Sequence, residues 1–265
     1  MSSKGTGGAE NVVLVTGGGA GIGAGICRVL AGRGVHVAVN DLDADAAERT
    51  AEEIGGTAVP GDVVTDGEAI LAGTLAIAGR LDGLVNNAGV IRRAPLSDLP
   101  DRDPTLDVNL RAVAGLSARC LRSLSESNGA IVNIASMAAD VPQLGGGLYA
   151  ASKAGLVAYT RQAAVEWGPL GVRVNAIGPG MIRTAMAEAV YADPVLHEKR
   201  RTLVPVGRIG RPEDIGTVVA FLLSTDAAYV SGQHLLVDGG LTQTLMAHFP
   251  QPSDAAPSPP ASADA

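Results

Sequence analysis

Aromatic side chains are scarce in this 265-residue chain, at 3%, with one Trp and two Phe. That leans slightly against a broad ring-stacking pocket. Cysteine occurs only as Cys27 and Cys120, both in helix-like stretches. Two such thiols make no disulfide framework, and a reduced, cytoplasmic protein is the simpler expectation. There is no basic excess: 20 Lys and Arg stand against 27 Asp and Glu, a net charge of −7. Nothing is therefore available to neutralise phosphates along a nucleic acid. Long hydrophobic runs are missing too, since a stretch such as Val218 to Leu223 falls far short of the roughly 18 residues a membrane span needs. Met1 to Glu10 is small and polar with one Lys, so it is not read as a secretory signal and is expected to be flexible. The four histidines, His36, His197, His234 and His248, are scattered without metal-like spacing to a second ligand, so no metal site is read.

What the chain does have is glycine, 35 residues against a usual share of roughly 7%, and 46% hydrophobic positions. The glycines sit between short β-branched runs and longer segments of helical period. Strands are expected at Val12–Thr16, Val35–Asn40, Thr57–Val59, Gly83–Asn86, Ala130–Ile134, Val172–Ile177 and His234–Val237. Most are continuously apolar, as a sheet buried on both faces requires. Helices are expected near Gly21–Gly34, Asp43–Ile54, Asp66–Ala78, Pro104–Ser125, Tyr149–Trp167 and Pro212–Leu223. The repeated β-α-β order implies an α/β fold: a Rossmann-type, doubly wound parallel sheet of about seven strands with helices on both faces. One catalytic domain is read over residues 11–249. Two segments break the rhythm. Residues 180–210 form a lid-like insertion, with Pro179, Pro194 and Pro205 read as breakers and a short helical piece near Thr184–Ala192. Residues 250–265 contain five prolines in sixteen positions and are expected to be a disordered tail.

The first strand runs into Gly17-Gly-Gly-Ala-Gly21-Ile22-Gly23 and then a helix. Gly17, Gly21 and Gly23 fit G-x-x-x-G-x-G, while Gly19, Gly21 and Ala24 fit G-x-G-x-x-A, and pattern alone does not choose between them. In either register glycines let a pyrophosphate approach the backbone and the helix N-terminus offers N–H groups. Asp41 closes the second strand, 18 residues beyond Gly23. A carboxylate there accepts hydrogen bonds from ribose hydroxyls and repels a 2′-phosphate, so NAD is expected over NADP. Asp41 or Asp43 could also simply N-cap the next helix, and the two roles are compatible. Asp62 and Val63, after the third strand, could stand near an adenine.

Tyr149 and Lys153 are one helical turn apart on one face. A phenol is a poor base at neutral pH, and an adjacent ammonium is expected to lower its pKa toward proton transfer with a carbinol. Ser136 follows the fifth strand, at the sheet edge where open α/β folds bind ligands. With Asn86-Asn87-Ala88-Gly89, Asn109 in Asp107-Val-Asn-Leu, and Pro179-Gly180, these residues resemble the short-chain dehydrogenase/reductase family in its compact single-domain form. The match runs in order from about Asn11 to Leu241. Each motif alone recurs in unrelated chains; the ordered set is specific.

The resemblance implies roles. Tyr149 would be the general acid/base, Lys153 would tune it and hold the nicotinamide ribose, and Ser136 would bind the substrate oxygen. Asn109 would interrupt its helix and help hold a water that links Lys153 to solvent. Gly17, Gly19, Gly21, Ile22 and Gly23 would surround the pyrophosphate. Asn86, Asn87, Ala88 and Gly89 would border the adenosine side, and Pro179, Gly180, Ile182 and Thr184 the nicotinamide. The substrate wall would draw on Arg92 or Arg93, Met137, Gln143, Leu144, Met181 and Tyr191. An anionic substrate could use Arg92 or the His197–Arg201 cluster, although a solvated basic face explains that cluster as well. Ser127 and Leu170 stand where carrier-protein reductases of the family carry basic docking residues. Relatives also assemble through the stretches matching Pro104–Ser125, Tyr149–Trp167 and Ser231–Leu241, so a homotetramer is expected, with a small-molecule substrate. Three readings stay open: an NAD-linked secondary-alcohol dehydrogenase, which is preferred, an NADPH-preferring carbonyl or 3-oxoacyl reductase, and a cofactor-binding sensor or structural subunit without turnover.

Overall fold

The computed structural model describes residues 11–184 and 192–244. The expected flexible N-terminus, the tail, Tyr191 and most of the helical piece at 184–192 lie outside the described residues. Valine-rich runs form the strands, and all seven pair in parallel in the order β3-β2-β1-β4-β5-β6-β7. They are β1 Val12–Thr16, β2 His36–Asn40, β3 Thr57–Ala58, β4 Gly83–Asn86, β5 Ala130–Ile134, β6 Arg173–Pro179 and β7 His234–Val237. The helices are α1 Gly21–Ala31, α2 Ala44–Ile54, α3 Gly67–Ala78, α4 Pro104–Leu106, α5 Val113–Ser127, α6 Tyr149–Trp167, α7 Pro194–Arg201 and α8 Pro212–Leu223.

Each sheet face carries its own core. On one face Val13, Val15, Val37 and Val39 pack with Ile26 and Leu30 of α1 and Ile215, Val219 and Leu222 of α8. Helices α1 and α8 approach closely because Gly25 faces Pro212, where a Cβ would lie 2.2 Å from the proline ring. On the other face Leu14, Leu84, Ile131 and Val174 pack with Ile70 of α3, Leu116 and Leu124 of α5 and Ala163 of α6. The sequence order reverses between β1 and β4, and that switch point opens a crevice at the carboxyl ends of the strands.

Local chemistry sets the element ends. Asp43 caps α2, its Oδ1 accepting from Ala46 N at 3.1 Å, and Gly55 ends that helix in the left-handed region at φ 68°. The expected helix at 104–125 is instead three pieces: α4, a π-helical turn at Asp107–Ala112, and α5. The insertion also differs from expectation. Pro194, read as a breaker, occupies the first turn of α7, where its missing N–H costs nothing, and Asp193 caps that helix through Val195 N and Leu196 N. Strand β7 is only half-buried along its length, as befits the sheet edge.

Candidate active site

Two glycines shape the turn after β1. Gly17 and Gly21 adopt φ of +62° and +54°, which side chains rarely tolerate, while Gly23 packs so tightly that a Cβ would meet Gly17 O at 2.0 Å. The first register, Gly17, Gly21 and Gly23, therefore describes the turn itself. Gly19 serves differently: its N–H donates to Asp41 Oδ2 at 2.9 Å. Asp41 Oδ1 accepts from Asp43 N at 3.1 Å, so Asp43 is the helix cap and Asp41 braces the glycine turn.

This turn forms one wall of a cleft of about 550 Å³. Gly17, Gly21, Ile22, Asp41, Asp62, Val63, Asn87, Ala88 and Gly89 line one half of it. Asp62 there spends one oxygen on Val64 N at 2.8 Å. Asn87 bridges the halves of the wall, its Nδ2 donating to the carbonyls of Thr16 and Gly17 at 2.9 Å each. Asn86 does not border the cleft. As the last residue of β4 it points to the opposite face, donating to Ser117 Oγ at 3.0 Å and Asn133 Oδ1 at 2.8 Å. Strand alternation is the reason: Asn86 shares its face with Leu84, and the chain turns toward the cleft only at Asn87.

Ser136, Tyr149, Lys153, Pro179, Gly180 and Thr184 line the other half. Tyr149 opens α6, and it lines the cleft with Ser136, whose hydroxyl favours the ionised phenol. Lys153, one turn later, is buried, and its Nζ donates to Ile134 O at 2.8 Å and lies 5.8 Å from the Tyr149 ring centroid. Asn109, in the π-helical turn, is fully buried and clamps Val90, receiving its N–H at 2.8 Å and donating to its carbonyl at 2.9 Å. The same amide donates to Ser152 Oγ at 3.1 Å, and Ser152 donates to Tyr149 O at 2.7 Å. The wider π turn thus ties the helix start to the backbone of Tyr149.

Burial dominates the electrostatics. It pushes the Lys153 ammonium down to about 8. It also holds the Tyr149 phenol above its ordinary value of 10, against the opposing influence of the Ser136 hydroxyl. The expected lowering of Tyr149 by Lys153 is thus not the balance these contacts strike. Desolvation of the phenol is the larger influence, and the Lys153 ammonium is turned to the Ile134 carbonyl.

Several expected residues lie elsewhere. Met181 and Ile182 line a second cavity of about 280 Å³, with Val204, Val237 and Asp238, behind the Pro179–Gly180 wall. There Ile182 bridges Gly210, pinning the two ends of the insertion together. Arg92 is not in the cleft lining, and its guanidinium faces buried Asp103 at 3.8 Å. Gln143 and Leu144 point to solvent, and the Leu144 side chain is fully exposed. The lining also includes Asn40, Leu42, Val90, Ile91, Val108 and Ala135, which sequence reasoning missed. Each is a chain neighbour of a motif residue, which was the available signal. Among the described residues no cluster of His, Cys, Asp and Glu could hold a metal ion, and no helix is long and apolar enough to cross a membrane.

The residues present fit a nicotinamide dinucleotide. The glycine turn is a cradle that side chains would fill, a carboxylate stands at one end, and Ser136, Tyr149 and buried Lys153 stand at the other. Comparison with known proteins agrees. A family model described as enoyl-(acyl carrier protein) reductase matches residues 17–242. The chain is 40% identical over 244 residues to D-threitol dehydrogenase of Mycolicibacterium smegmatis, spanning 87% of this chain and 92% of that one. It is 38% identical over 244 residues to cis-4-hydroxycyclohexanecarboxylate dehydrogenase of Sinomonas cyclohexanicum, spanning 88% and 97%. Among solved structures, 3-ketoacyl-(acyl-carrier-protein) reductase from Brucella melitensis complexed with NADH superposes with a TM-score of 0.82 at 31% identity, spanning 89% and 100%.

Proposed function

The chain belongs to the short-chain dehydrogenase/reductase family of oxidoreductases, and on that premise we propose that it is an NAD-linked dehydrogenase of secondary alcohols. The observation that carries this reading is the end of the cleft, which Ser136, Tyr149 and buried Lys153 line together, with Lys153 Nζ 5.8 Å from the Tyr149 ring centroid. Asp41, at the other end, supports NAD over NADP, because the loop offers a carboxylate where a 2′-phosphate would need a cation. Cyclic or polyhydroxylated alcohols are the proposed substrate class, in keeping with the names of the D-threitol and hydroxycyclohexanecarboxylate relatives.

A bound nicotinamide dinucleotide supplies the hydride acceptor. The protein's own part is positioning and proton transfer. Ser136 and Tyr149 grip the alcohol oxygen from two sides, and once the Tyr149 phenol has given its own proton to solvent, the alcohol's proton passes to the phenolate oxygen as the carbonyl forms. Lys153 holds the cofactor ribose and places a positive charge beneath the phenol. Asn109 keeps the start of α6 in place through Ser152. Asp62, Val63, Asn87, Ala88 and Gly89 border the adenosine, and Pro179, Gly180 and Thr184 the nicotinamide. The chain is further proposed to work as a homotetramer.

A second reading, an NADPH-preferring 3-oxoacyl reductase, is favoured by the family-model description and by the solved ketoacyl reductase. One experiment separates the two. Nicotinamide absorbance is followed with NAD and a panel of cyclic and polyhydroxylated secondary alcohols, for the native chain and Tyr149→Phe, alongside the affinities of NADH and NADPH. Turnover lost in the variant with NADH binding retained is expected. Tighter NADPH binding would favour the reductase, and cofactor binding without turnover of any alcohol or ketone would favour a sensor.

A further inference from the structure

His234 opens β7, in register with Ala176 of β6. Its side chain is only 6% exposed, and the ring takes the space beside Gly178, where a Cβ would lie 2.6 Å from Nε2. Nδ1 lies 3.4 Å from Oδ2 of half-exposed Asp140. Nε2 is buried without a hydrogen-bond partner among the described residues. Two charged groups act on the ring, Asp140 from the turn after β5 and Arg161 from α6, while β6 presents Gly178 to it. None of this belongs to the proton-transfer machinery.

Asp140 ends the short 3₁₀ turn Met137–Ala139, which Ser136 begins. That turn is stiff. Ser136 Oγ accepts from Ala138 N at 3.1 Å, Ser136 O accepts from Ala139 N at 3.0 Å, and Met137 O accepts from Asp140 N at 3.1 Å and Val141 N at 2.9 Å. Ala139 packs against the small cluster of Ala135, Val157 and Ala176, which joins the turn to α6 and β6. Whatever holds Asp140 therefore holds the Ser136 hydroxyl.

We propose that His234 is a positioning residue for Ser136: its ring holds Asp140, and through the Met137–Ala139 turn sets where the Ser136 hydroxyl stands against Tyr149, more firmly when the ring is protonated. A neutral ring with its proton on Nδ1 reaches Asp140 as a dipole and leaves one unmatched lone pair on Nε2. A protonated ring faces the carboxylate with a full charge but adds a buried N–H that has no acceptor. Burial keeps the ring below its ordinary pKa of 6.5 despite Asp140, so the tighter hold belongs to the acidic side.

The kinetic consequence rests on the dehydrogenase reading; the pair itself does not. The test is a side-chain NMR titration of the full chain, native and Asp140→Asn, joined to steady-state kinetics of both and of His234→Gln from about pH 5 to 8. Asp140→Asn is expected to lower the His234 pKa by about one unit or more, since the Coulomb effect of one charge at this separation is about one unit even when fully solvated, and the ring is buried. Near pH 5.5 the alcohol KM is expected to rise about three- to tenfold in either variant, with NADH affinity unchanged, and the difference is expected to close above pH 7. The double variant is expected to be no worse than either single one. An unmoved His234 titration overturns the pair whether or not the chain is a dehydrogenase. A moved titration with unchanged alcohol KM, or with cofactor affinity shifting alongside, overturns the positioning role. Absence of turnover with every alcohol and ketone sinks the dehydrogenase reading and the kinetic role with it, while the titration still decides the pair.

Discussion

Lys153 is a charge held where charge is costly: buried, with one hydrogen bond to Ile134 O, and with its pKa pushed down to about 8. In the unfolded chain the same group titrates near its ordinary 10.5. Between these values the unfolded state binds more protons than the folded one, so stability rises with pH through that window and is lost again as pH falls to 8. A variant with no charge to bury lacks this dependence. Urea unfolding at pH 7 and pH 10 is therefore expected to show the native chain gaining about 2–3 kcal/mol relative to Lys153→Met. Equal changes in both proteins would mean that the ammonium is better solvated than its burial implies. Tyr149 moves the other way at the same site, so in the proposed oxidation the phenol must lose its own proton before it can take the alcohol's.

At the scale of elements, the cleft depends on how α5 and α6 seat on the sheet, and a buried amide chain does much of that work. Asn86 on β4 donates to Asn133 on β5 and to Ser117 on α5, and Asn133 donates to Thr160 on α6 at 2.9 Å. Asn86 and Asn133 are direct neighbours in the parallel register. The chain caps the apolar core on that face beneath the cleft, two turns along α6 from Lys153. Replacing Asn133 by Leu leaves an Asn86 N–H without its acceptor in a dry interior, which costs about 1–3 kcal/mol. Denaturant unfolding of Asn133→Leu, Thr160→Val and the double variant is expected to show that loss, with the two changes less than additive. Simple additivity would mean that the amide chain does not act as a unit.

For the molecule as a whole, the telling feature is the edge of the sheet. Strand β7 has β6 on one side and no strand on the other among the described residues, and its residues are half-buried throughout. Nearby Tyr229 is fully exposed and Phe221 is 40% exposed, while Val165 on α6 is 75% exposed. A second copy covering these faces would bury them, as the proposed tetramer does. Light scattering at micromolar concentration is expected to give four times the chain mass of 26.6 kDa, and a monomer would refute the assembly.

The amino-acid sequence by itself determined the alternation of strands and helices, the glycine turn, and the pairing of Tyr149 with Lys153. These follow from local requirements: a period of two or 3.6, a positive φ, a spacing of one helical turn. Cysteine, charge and run length likewise bounded the class before any contact was known. Tertiary structure alone decided the rest. It turned Asn86 inward and Asn87 toward the cleft, because strand alternation and the reversal of strand order act together. It carried Arg92, Gln143 and Leu144 away from the cleft wall and Met181 behind it, since where a loop side chain points depends on partners distant in the chain. It let Pro194 begin a helix rather than break one, because Asp193 was free to cap it. It also reversed the expected shift of Tyr149, since desolvation is set by everything packed around a group, whereas spacing records only one neighbour.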